Sequence, residues 1–309
     1  MTSDERGEQA IGFIGLGNMG LPMARRLVAA GYQVRGFDPA EQAMRDFTGQ
    51  AEGTAPAEGN TGKALPAADP AAAAAGSDAV ILMLPDSNVV ESVVLGQLTD
   101  LPPGSTVIDM SSSDPARTRV LAGRLAESGV TLVDAPVSGG VAGAQAGTLT
   151  VMVGGPSQAY ERFKPLLAAM GSRVVHAGGT GAGHAAKALN NLMSAANLLV
   201  ASEALVAGQR FGLDPEVMLD IINGSSGRSN ATENKWPNFV LTEKYFEPGF
   251  AVRLMVKDIR LALGIEHATG VPCTASAAVV QAWEAALTEL PADADHTAIA
   301  WWVANRGEP

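Results

Sequence analysis

The chain has 309 residues, which favours about two domains, and its 47% apolar and 17% charged residues are typical of soluble globular proteins. A net charge of -11, with 21 scattered Lys and Arg residues, argues against a nucleic-acid surface, which needs clustered cations. The single cysteine, Cys273, excludes an internal disulfide framework and a cysteine-based zinc site, and it favours a reducing cytoplasm.

Two segments bear on location. The N-terminal MTSDERGEQA is acidic and polar, without the basic-then-apolar order of a signal peptide. The most apolar window, 192–207, is interrupted by Ser194, Asn197, Ser202 and Glu203. We therefore predict a buried helix there and not a membrane span, in a cytoplasmic protein with no membrane partner.

The first elements are predicted to be a strand, a glycine turn and a helix. The apolar run AIGFI (10–14) leads into GLGNMG (15–20), and LPMARRLVAAG follows with apolar residues at helical spacing. A second strand, YQVRGFD, ends at Asp38, which lies 23 residues after Gly15. The pattern matches the G-x-G-x-x-G fingerprint of dinucleotide-binding folds in its required context.

Each residue of this fingerprint has a physical task. Gly15 permits the tight turn, Gly17 lets the backbone approach a pyrophosphate, and Gly20 permits close packing of helix on strand. The free N–H groups and the dipole at the helix N-terminus attract the phosphates. Asp38 accepts hydrogen bonds from the adenine ribose and repels a 2′-phosphate, so we predict NAD in preference to NADP.

Alternating strands and helices follow. The low-complexity patch 49–76 predicts a surface loop with one short strand and one helix turn, and we assign it no chemistry. DAVILMLPD (78–86) predicts a buried strand, and 105–129 predicts a strand, a polar turn and a helix that opens near Pro115. Just past the strand ends, where ligands lie in open α/β sheets, are three candidate cofactor contacts, which are equally well explained as turn residues: Leu84, Pro85 and Ser112.

Residues 130–155 form a second unusual stretch. A strand ends at Asp134 and meets a proline-glycine loop, after which another strand begins at Leu149. In the loop, Ser138 places a hydroxyl beside the unhindered N–H groups of Gly139 and Gly140, an arrangement that can hold a carboxylate. Taken alone, PVSGG is more simply explained as a turn.

The predicted secondary structure changes near residue 178 from alternating strands and helices to helices alone. Residues 156–171 predict a helix and 173–178 a last strand, and from 181 onward the pattern is almost entirely helical. We therefore predict an α/β fold with an N-terminal Rossmann-type doubly wound sheet, followed by an all-α domain and joined to it by a long interdomain helix. The predicted domains are 1–178, which binds NAD, and 179–309, which serves substrate binding and oligomerisation.

The stretch 178–194, GGTGAGHAAKALNNLMS, begins that helix. Lys187, Asn190, Asn191 and Ser194 lie at i, i+3, i+4 and i+7, so they share one helix face. The rest of the helix is rich in alanine and leucine, so core packing is a poor explanation for the amine of Lys187 and the amides of Asn190 and Asn191 on one face. His184 is more simply a surface or packing residue.

With these motifs collected, the chain resembles the β-hydroxyacid dehydrogenase family, which contains 3-hydroxyisobutyrate dehydrogenase and tartronate semialdehyde reductase. The resemblance runs along nearly the whole chain in four ordered motifs: GFIGLGNMGLPMA (12–24), DAPVSGGVAGAQAGTL (134–149), GAGHAAKALNN (181–191) and FAVRLMVKDIRLA (250–262). The 49–62 segment looks longer than in family members. The residues FDP lack the arginine that often follows in NADP users, which agrees with the interpretation of Asp38.

The resemblance implies roles for individual residues. The first motif binds the dinucleotide, through Gly15, Gly17, Asn18, Met19, Gly20 and Asp38. The second holds the substrate carboxylate, through Ser138, Gly139 and Gly140. The third supplies the catalytic acid/base, Lys187, and the residue that orients the substrate, Asn191. The fourth lies near the cofactor and closes the site, through Lys257 and Asp258.

The expected reaction is hydride transfer between NAD and the alcohol carbon of a small β-hydroxy acid similar to 3-hydroxyisobutyrate. Lys187 can remove the alcohol proton or return it if burial and neighbours lower its pKa from about 10.4 toward the working pH. Arg228, in SSGRSNATENKW (225–236), either meets a carboxylate or is a surface arginine. We predict no metal, because HExxH and metal-ligand histidine spacing are absent.

Several alternatives stay open. Glycerate, tartronate semialdehyde, threonate, serine and 4-hydroxybutyrate carry the same functional groups as the expected substrate. An imine reductase of this architecture usually replaces the lysine, and a non-catalytic dinucleotide sensor could lose it, so Lys187 counts against both. The small residues of 188–208 suit close contact between helices of different subunits, so we expect a homo-dimer or homo-tetramer.

Overall fold

The computed structural model describes residues 9–49, 62–247 and 249–306. The N-terminal segment (1–8) and part of the low-complexity patch (50–61) lie outside the described residues. The chain divides into two compact units, one ending at Lys187 and the other beginning at Ala188. The domain boundary predicted at 178/179 stays a prediction.

The first unit alternates strands and helices. Its strands are β1 (Ala10–Ile14), β2 (Gln33–Phe37), β3 (Lys63–Pro66), β4 (Ala79–Leu82), β5 (Thr106–Asp109), β6 (Thr131–Asp134), β7 (Val137–Ser138), β8 (Thr150–Gly154) and β9 (Arg173–Gly178). Its helices are α1 (Gly20–Ala29), α2 (Glu41–Thr48), α3 (Pro70–Ala74), α4 (Ser87–Gln97), α5 (Pro115–Glu127), α6 (Gly140–Ala146), α7 (Ser157–Ala168) and the start of α8 (Ala182–Phe211).

The strands form one sheet in the order β3-β2-β1-β4-β5-β6-β8-β7, and β9 pairs with β8. Every pairing from β3 across to β6 is parallel. Strand β8 runs antiparallel to β6 and β7 and parallel to β9. The chain starts in the middle of the sheet and extends it in both directions, which is the doubly wound arrangement predicted from the sequence.

Both faces of the central strands are buried, because helices cover each side of the sheet there. Strands β4 and β5 are buried at every position, as their continuous apolar runs predict. Phe13 belongs to the core on one face and its neighbour Ile14 to the core on the other, since successive strand residues point in opposite directions. The carboxyl ends of the parallel strands therefore meet at one edge, supported from both sides.

The described part of the low-complexity patch contains β3 and α3. These two elements confirm the predicted short strand and helix turn. Asp69 caps α3 by accepting a hydrogen bond from the Ala72 backbone N–H at 2.7 Å, and Pro70 follows it in the first turn.

The second unit is helical. It contains the rest of α8, α9 (Pro215–Asn223), a π-helix (Ala231–Val240), α10 (Val252–Thr269), α11 (Thr274–Glu289), a 3₁₀ turn (His296–Ala298) and α12 (Ile299–Asn305). The polar segment SSGRSNATENKW (225–236) is therefore a connection only in its first half, because the chain winds into the π-helix at Ala231. Burial of Lys235 and Trp236 accompanies this winding.

Helix α8 is long and apolar enough to cross a membrane by length and composition, a test that core helices of soluble proteins also pass. Leu192, Leu198 and Leu205 on this helix are buried in the core of the second unit, together with Ile259 and Trp283. This packing agrees with the predicted core helix.

Asp295 ties the last helical segment to the start of α10. Its carboxylate accepts hydrogen bonds from the Phe250 N–H at 2.8 Å and from the Thr297 N–H and hydroxyl at 2.9 and 2.6 Å. Desolvation raises the pKa of this carboxyl, but hydrogen bonds from His296 and Thr297 and the charge of His296 outweigh it and lower the pKa from 3.8 to about 2. The stabilisation is therefore present above pH 3.8 and is lost as the pH falls toward about 2.

Candidate active site

The glycine turn between β1 and α1 has the geometry of a phosphate-binding loop. Gly15 has a φ of +98°, and a Cβ there would lie 2.3 Å from the Met83 carbonyl oxygen. A Cβ on Gly20 would lie 1.9 Å from the Gly15 carbonyl oxygen. Around Gly17, by contrast, a Cβ would meet nothing within 4 Å. Gly15 and Gly20 thus serve close packing, and Gly17 faces open space.

At the start of α1 the Leu21 N–H donates to the Gly17 carbonyl at 3.0 Å and Pro22 has no N–H, so any free donors lie at Gly20 and before it. No side chain caps the helix at Met19, which is half-buried, and Gly17 and Asn18 are exposed. The first N–H groups of a helix have no partner within the helix, and its dipole is positive at this end. This end of the helix therefore suits the phosphates of a dinucleotide.

Asp38 lies beside the same turn at the carboxyl end of β2. One carboxylate oxygen accepts a hydrogen bond from the Leu16 backbone N–H at 2.8 Å, and the other accepts one from the Ala40 N–H at 2.8 Å. The Gly15 N–H donates to the Phe37 carbonyl at 2.9 Å. The structure thus brings the glycine turn and the acidic residue together across 22 positions of sequence.

The ends of β4 and β5 are joined through serine hydroxyls. The Leu84 N–H donates to the Ser111 Oγ at 2.9 Å, and Ser111 is fully buried. Asp109 accepts the Ser111 N–H at 2.9 Å and the Ser113 hydroxyl at 2.8 Å. Ser111 and Ser113 were missed from the sequence, which pointed to Ser112, the half-buried member of the run. Side chains alternate between two faces along an extended segment, so Ser111 and Ser113 share one face and Ser112 lies on the other, and this alternation could have indicated the buried pair.

The PVSGG loop leaves the sheet in an unusual conformation. Ser138 is half-buried at the end of β7, and Gly139 and Gly140 have φ values of +133° and +62°. A Cβ on Gly140 would meet nothing within 4 Å. Two successive left-handed glycines with exposed backbone can direct N–H groups toward an anion, beside the serine hydroxyl.

Lys187 lies in the second turn of α8, and its side chain is 9% exposed. Asn191 follows one turn later on the same helix face and is also buried. The first turn of the helix is bonded to the carboxyl end of β6, where Asp134 accepts the His184 N–H at 2.9 Å. The amine is therefore carried by a helix anchored at the strand-end edge of the sheet.

Asn191 is paired with a carboxylate from the fourth motif. Its Nδ2 donates to Asp258 Oδ2 at 2.7 Å, and Asp258 is 1% exposed. The Nζ of Lys257 lies 3.4 Å from Asp258 Oδ1. Because a carboxylate oxygen only accepts, this pairing sets which way the Asn191 amide faces. The structure thus joins three of the predicted site residues within the second unit.

Arg228 lies in the exposed connection between α9 and the π-helix. Its Nε is 3.8 Å from Glu233 Oε1, and both side chains are more than half exposed. An ion pair of this kind contributes little. Among the described residues there is also no cluster of histidine, cysteine and acidic side chains able to hold a metal ion.

Two family models match the chain. One, described as the NAD binding domain of 6-phosphogluconate dehydrogenase, matches residues 10–179. The other, described as the NAD-binding part of NADP-dependent 3-hydroxyisobutyrate dehydrogenase, matches residues 181–303. Together they account for both the α/β part and the helical part of the chain.

Individual relatives are similar along most of their length. The 2-(hydroxymethyl)glutarate dehydrogenase of Eubacterium barkeri is 41% identical over 277 residues, which cover 89% of this chain and 88% of that protein. The NAD-dependent L-serine dehydrogenase of Pseudomonas aeruginosa is 40% identical over 260 residues, or 82% and 83% of the two chains.

Among solved structures, 3-hydroxyisobutyrate dehydrogenase of Mycobacterium tuberculosis with L-serine superposes with a TM-score of 0.84 at 33% identity, over 96% of this chain and 99% of that one. The two family models and these relatives agree with the glycine turn, the acidic residue after β2 and the helical second half. The chain is therefore an NAD(P)-dependent dehydrogenase that acts on a CH–OH group, and it belongs to the β-hydroxyacid dehydrogenase family.

Proposed function

We propose that the chain transfers a hydride between NAD and the alcohol carbon of a small β-hydroxy acid similar to 3-hydroxyisobutyrate, giving the semialdehyde, with Lys187 as general acid/base. The observation that carries this proposal is the nearly buried Lys187 amine on a helix anchored at the edge of the sheet where the parallel strands end. The relatives support the substrate class, because their names describe dehydrogenases of hydroxy acids or of serine.

The residues present fit a dinucleotide. The open space at Gly17 and the uncapped start of α1 suit the pyrophosphate, and Asp38 suits the adenine ribose. We place Asn18, Met19, Leu84, Pro85, Ser112, Lys257 and Asp258 around the rest of the cofactor. When bound, the nicotinamide supplies the hydride acceptor or donor.

The substrate carboxylate would be held by the Ser138 hydroxyl and the N–H groups of Gly139 and Gly140. Two left-handed glycines favour this, because their backbone carries no side chain that would shield the donors. Arg228 is our further candidate for a carboxylate contact. A substrate held at its carboxylate presents its alcohol carbon in a restricted range of positions, which is what productive hydride transfer requires.

Lys187 would move the proton. In the oxidation its neutral amine takes the alcohol proton, and in the reduction its ammonium donates a proton to the carbonyl oxygen. The ammonium also stabilises the developing alkoxide charge. Asn191, whose amide is oriented by Asp258, would hold the substrate by a hydrogen bond. Asp258 thereby positions Asn191.

A substrate panel tests this function. Purified protein is assayed by nicotinamide absorbance with 3-hydroxyisobutyrate, glycerate, threonate, serine, 4-hydroxybutyrate and 2-(hydroxymethyl)glutarate, each with NAD and with NADP. We expect the highest kcat/KM with 3-hydroxyisobutyrate and NAD. A higher kcat/KM with another hydroxy acid of the panel would assign that compound as the substrate. Cofactor binding without turnover of any of them would favour a non-catalytic dinucleotide sensor.

We also infer that the protein is a homo-dimer or homo-tetramer in the cytoplasm. Apolar side chains on the solvent side of α8 are exposed at helical spacing, including Met193 at 67%, Val200 at 58% and Phe211 at 86%. Large exposed apolar side chains grouped along one helix often mark a subunit contact. Sedimentation velocity is expected to give at least twice the monomer mass, and a monomer would contradict the inference. The single free cysteine supports the cytoplasmic location.

A further inference from the structure

The first turn of α8 is attached to a buried carboxylate that the proposed chemistry does not use. Asp134, the last residue of β6, is 0% exposed. Its Oδ1 accepts the Gly181 N–H at 2.6 Å, and its Oδ2 accepts the His184 N–H at 2.9 Å. The N–H groups of a first helical turn have no partner within the helix, so this carboxylate serves as their acceptor.

Backbone packs closely around this carboxylate. A Cβ on Gly154 would lie 2.5 and 2.6 Å from the two Asp134 oxygens and 2.7 Å from the Gly183 nitrogen. A Cβ on Gly183 would lie 2.2 Å from the Met152 carbonyl oxygen and 2.9 Å from Asp134 Oδ2. Strand β8 and helix α8 therefore approach Asp134 as closely as glycine allows.

His184 anchors the same turn to one further element, α5, and faces the end of β5. Its Nδ1 lies 2.9 Å from the Thr118 Oγ1 on α5, and its Nε2 lies 3.7 Å from Asp109 Oδ2 at the end of β5. The Thr118 hydroxyl donates to the Asp114 carbonyl at 2.9 Å, so the oxygen accepts from the Nδ1–H of His184. The start of α8 is thus hydrogen-bonded to β6 through Asp134 and to α5 through Thr118.

We propose that Asp134 is a positioning residue that sets the place of Lys187 relative to the PVSGG loop, an inference that rests on the proposed role of Lys187. Lys187 follows His184 by three residues, a rise of about 4.5 Å along the helix. Asp134 itself lies four residues before Ser138, the first candidate carboxylate-binding residue of the PVSGG loop. One buried carboxylate therefore anchors the helix with the acid/base and begins the connection to the carboxylate-holding loop.

The variant Asp134→Asn tests this placement. An amide keeps the size of the side chain, but its NH2 group cannot accept, so one of the two helix N–H bonds is lost. A displacement of about 1 Å is enough to lower turnover roughly 100-fold. We expect kcat per NAD-binding site to fall roughly 10- to 100-fold, the KM for NAD to stay unchanged, and the primary deuterium isotope effect to rise.

The matched control is Asp214→Asn. Asp214 also accepts helix N–H groups, those of Glu216 and Val217 at 2.9 and 3.1 Å, but it does so through Oδ1 alone and at the surface, and α9 carries no proposed site residue. It is expected to retain kcat within twofold. A merely structural role for Asp134 would lower the melting temperature and the fraction of NAD-binding sites without changing turnover per site, and that result would overturn the proposal.

A double-variant cycle separates failure of this proposal from failure of the proposed function. If Asp134 acts through Lys187, Asp134→Asn has no further effect on the residual turnover of Lys187→Ala. Independent, multiplicative losses would overturn the positioning role while leaving Lys187 as the acid/base. Full activity of Lys187→Ala alone would instead overturn the proposed function. Gly154→Ala, which displaces the carboxylate but keeps its charge, is expected to reproduce the loss in kcat.

Discussion

Replacing Lys187 by alanine is expected to lower kcat by about 100- to 10,000-fold while leaving the affinity for NAD unchanged. A positioned general acid/base typically contributes a factor of this size, because without it the alcohol proton must leave to water. Since the amine is nearly buried, water replaces it poorly. The measurement is steady-state turnover with the best hydroxy acid, alongside NAD binding by calorimetry.

The control for this prediction is Lys164→Ala. Lys164 lies on α7 with an exposed side chain, so its removal changes the net charge by the same amount without touching the strand-end edge. Turnover of this variant is expected to match the unaltered protein. Near-normal turnover of Lys187→Ala with unchanged cofactor binding would refute the assignment of the acid/base.

The second large effect is expected for cofactor choice. Asp38→Asn removes a charge that would repel the 2′-phosphate of NADP, and it keeps an oxygen that can accept from the Leu16 N–H. Hydrogen bonds to charged groups contribute about 1.5–3 kcal/mol, so the ratio of kcat/KM for NAD to that for NADP is expected to fall roughly 10- to 100-fold. Initial rates with each cofactor at a saturating hydroxy acid give this ratio.

Asp100→Asn provides the matched control for Asp38. Asp100 is exposed after α4, so its substitution removes one negative charge far from the glycine turn. The ratio for this variant is expected to stay within twofold of the unaltered protein. A strong preference of the unaltered protein for NADP would show that Asp38 does not exclude the 2′-phosphate.

Much of the fold could be predicted from patterns within short stretches of sequence. The glycine turn could be predicted because its chemistry is confined to six consecutive residues between a strand and a helix. The buried strands could be predicted because parallel sheets require continuous apolar runs. The long helix α8 could be predicted because no proline or glycine run interrupts residues 182–211. The π-helix from Ala231 was missed, because its polar residues are typical of a connection and its Lys235 and Trp236 are buried only by packing.

Pairings between distant residues could not be predicted in this way. Asn191 and Asp258 are 67 positions apart, and only the packing of α8 and α10 in the second unit brings the amide to the carboxylate. The serines after β5 show the same limit at short range. Ser111 and Ser113 face inward to Leu84 and Asp109 because of the path the backbone takes as it leaves the strand.

By itself, the sequence determined the class of fold, the dinucleotide turn and a polar stripe on one helix, because each depends on neighbours within a few residues. Tertiary structure decided how that helix is held. His184, which the sequence placed on the helix surface or in packing, is fully buried and contacts Thr118 and Asp109. Asp134 accepts two N–H groups 47 and 50 positions away. Buried polar groups must find partners wherever the folded chain provides them, and no local pattern specifies that place.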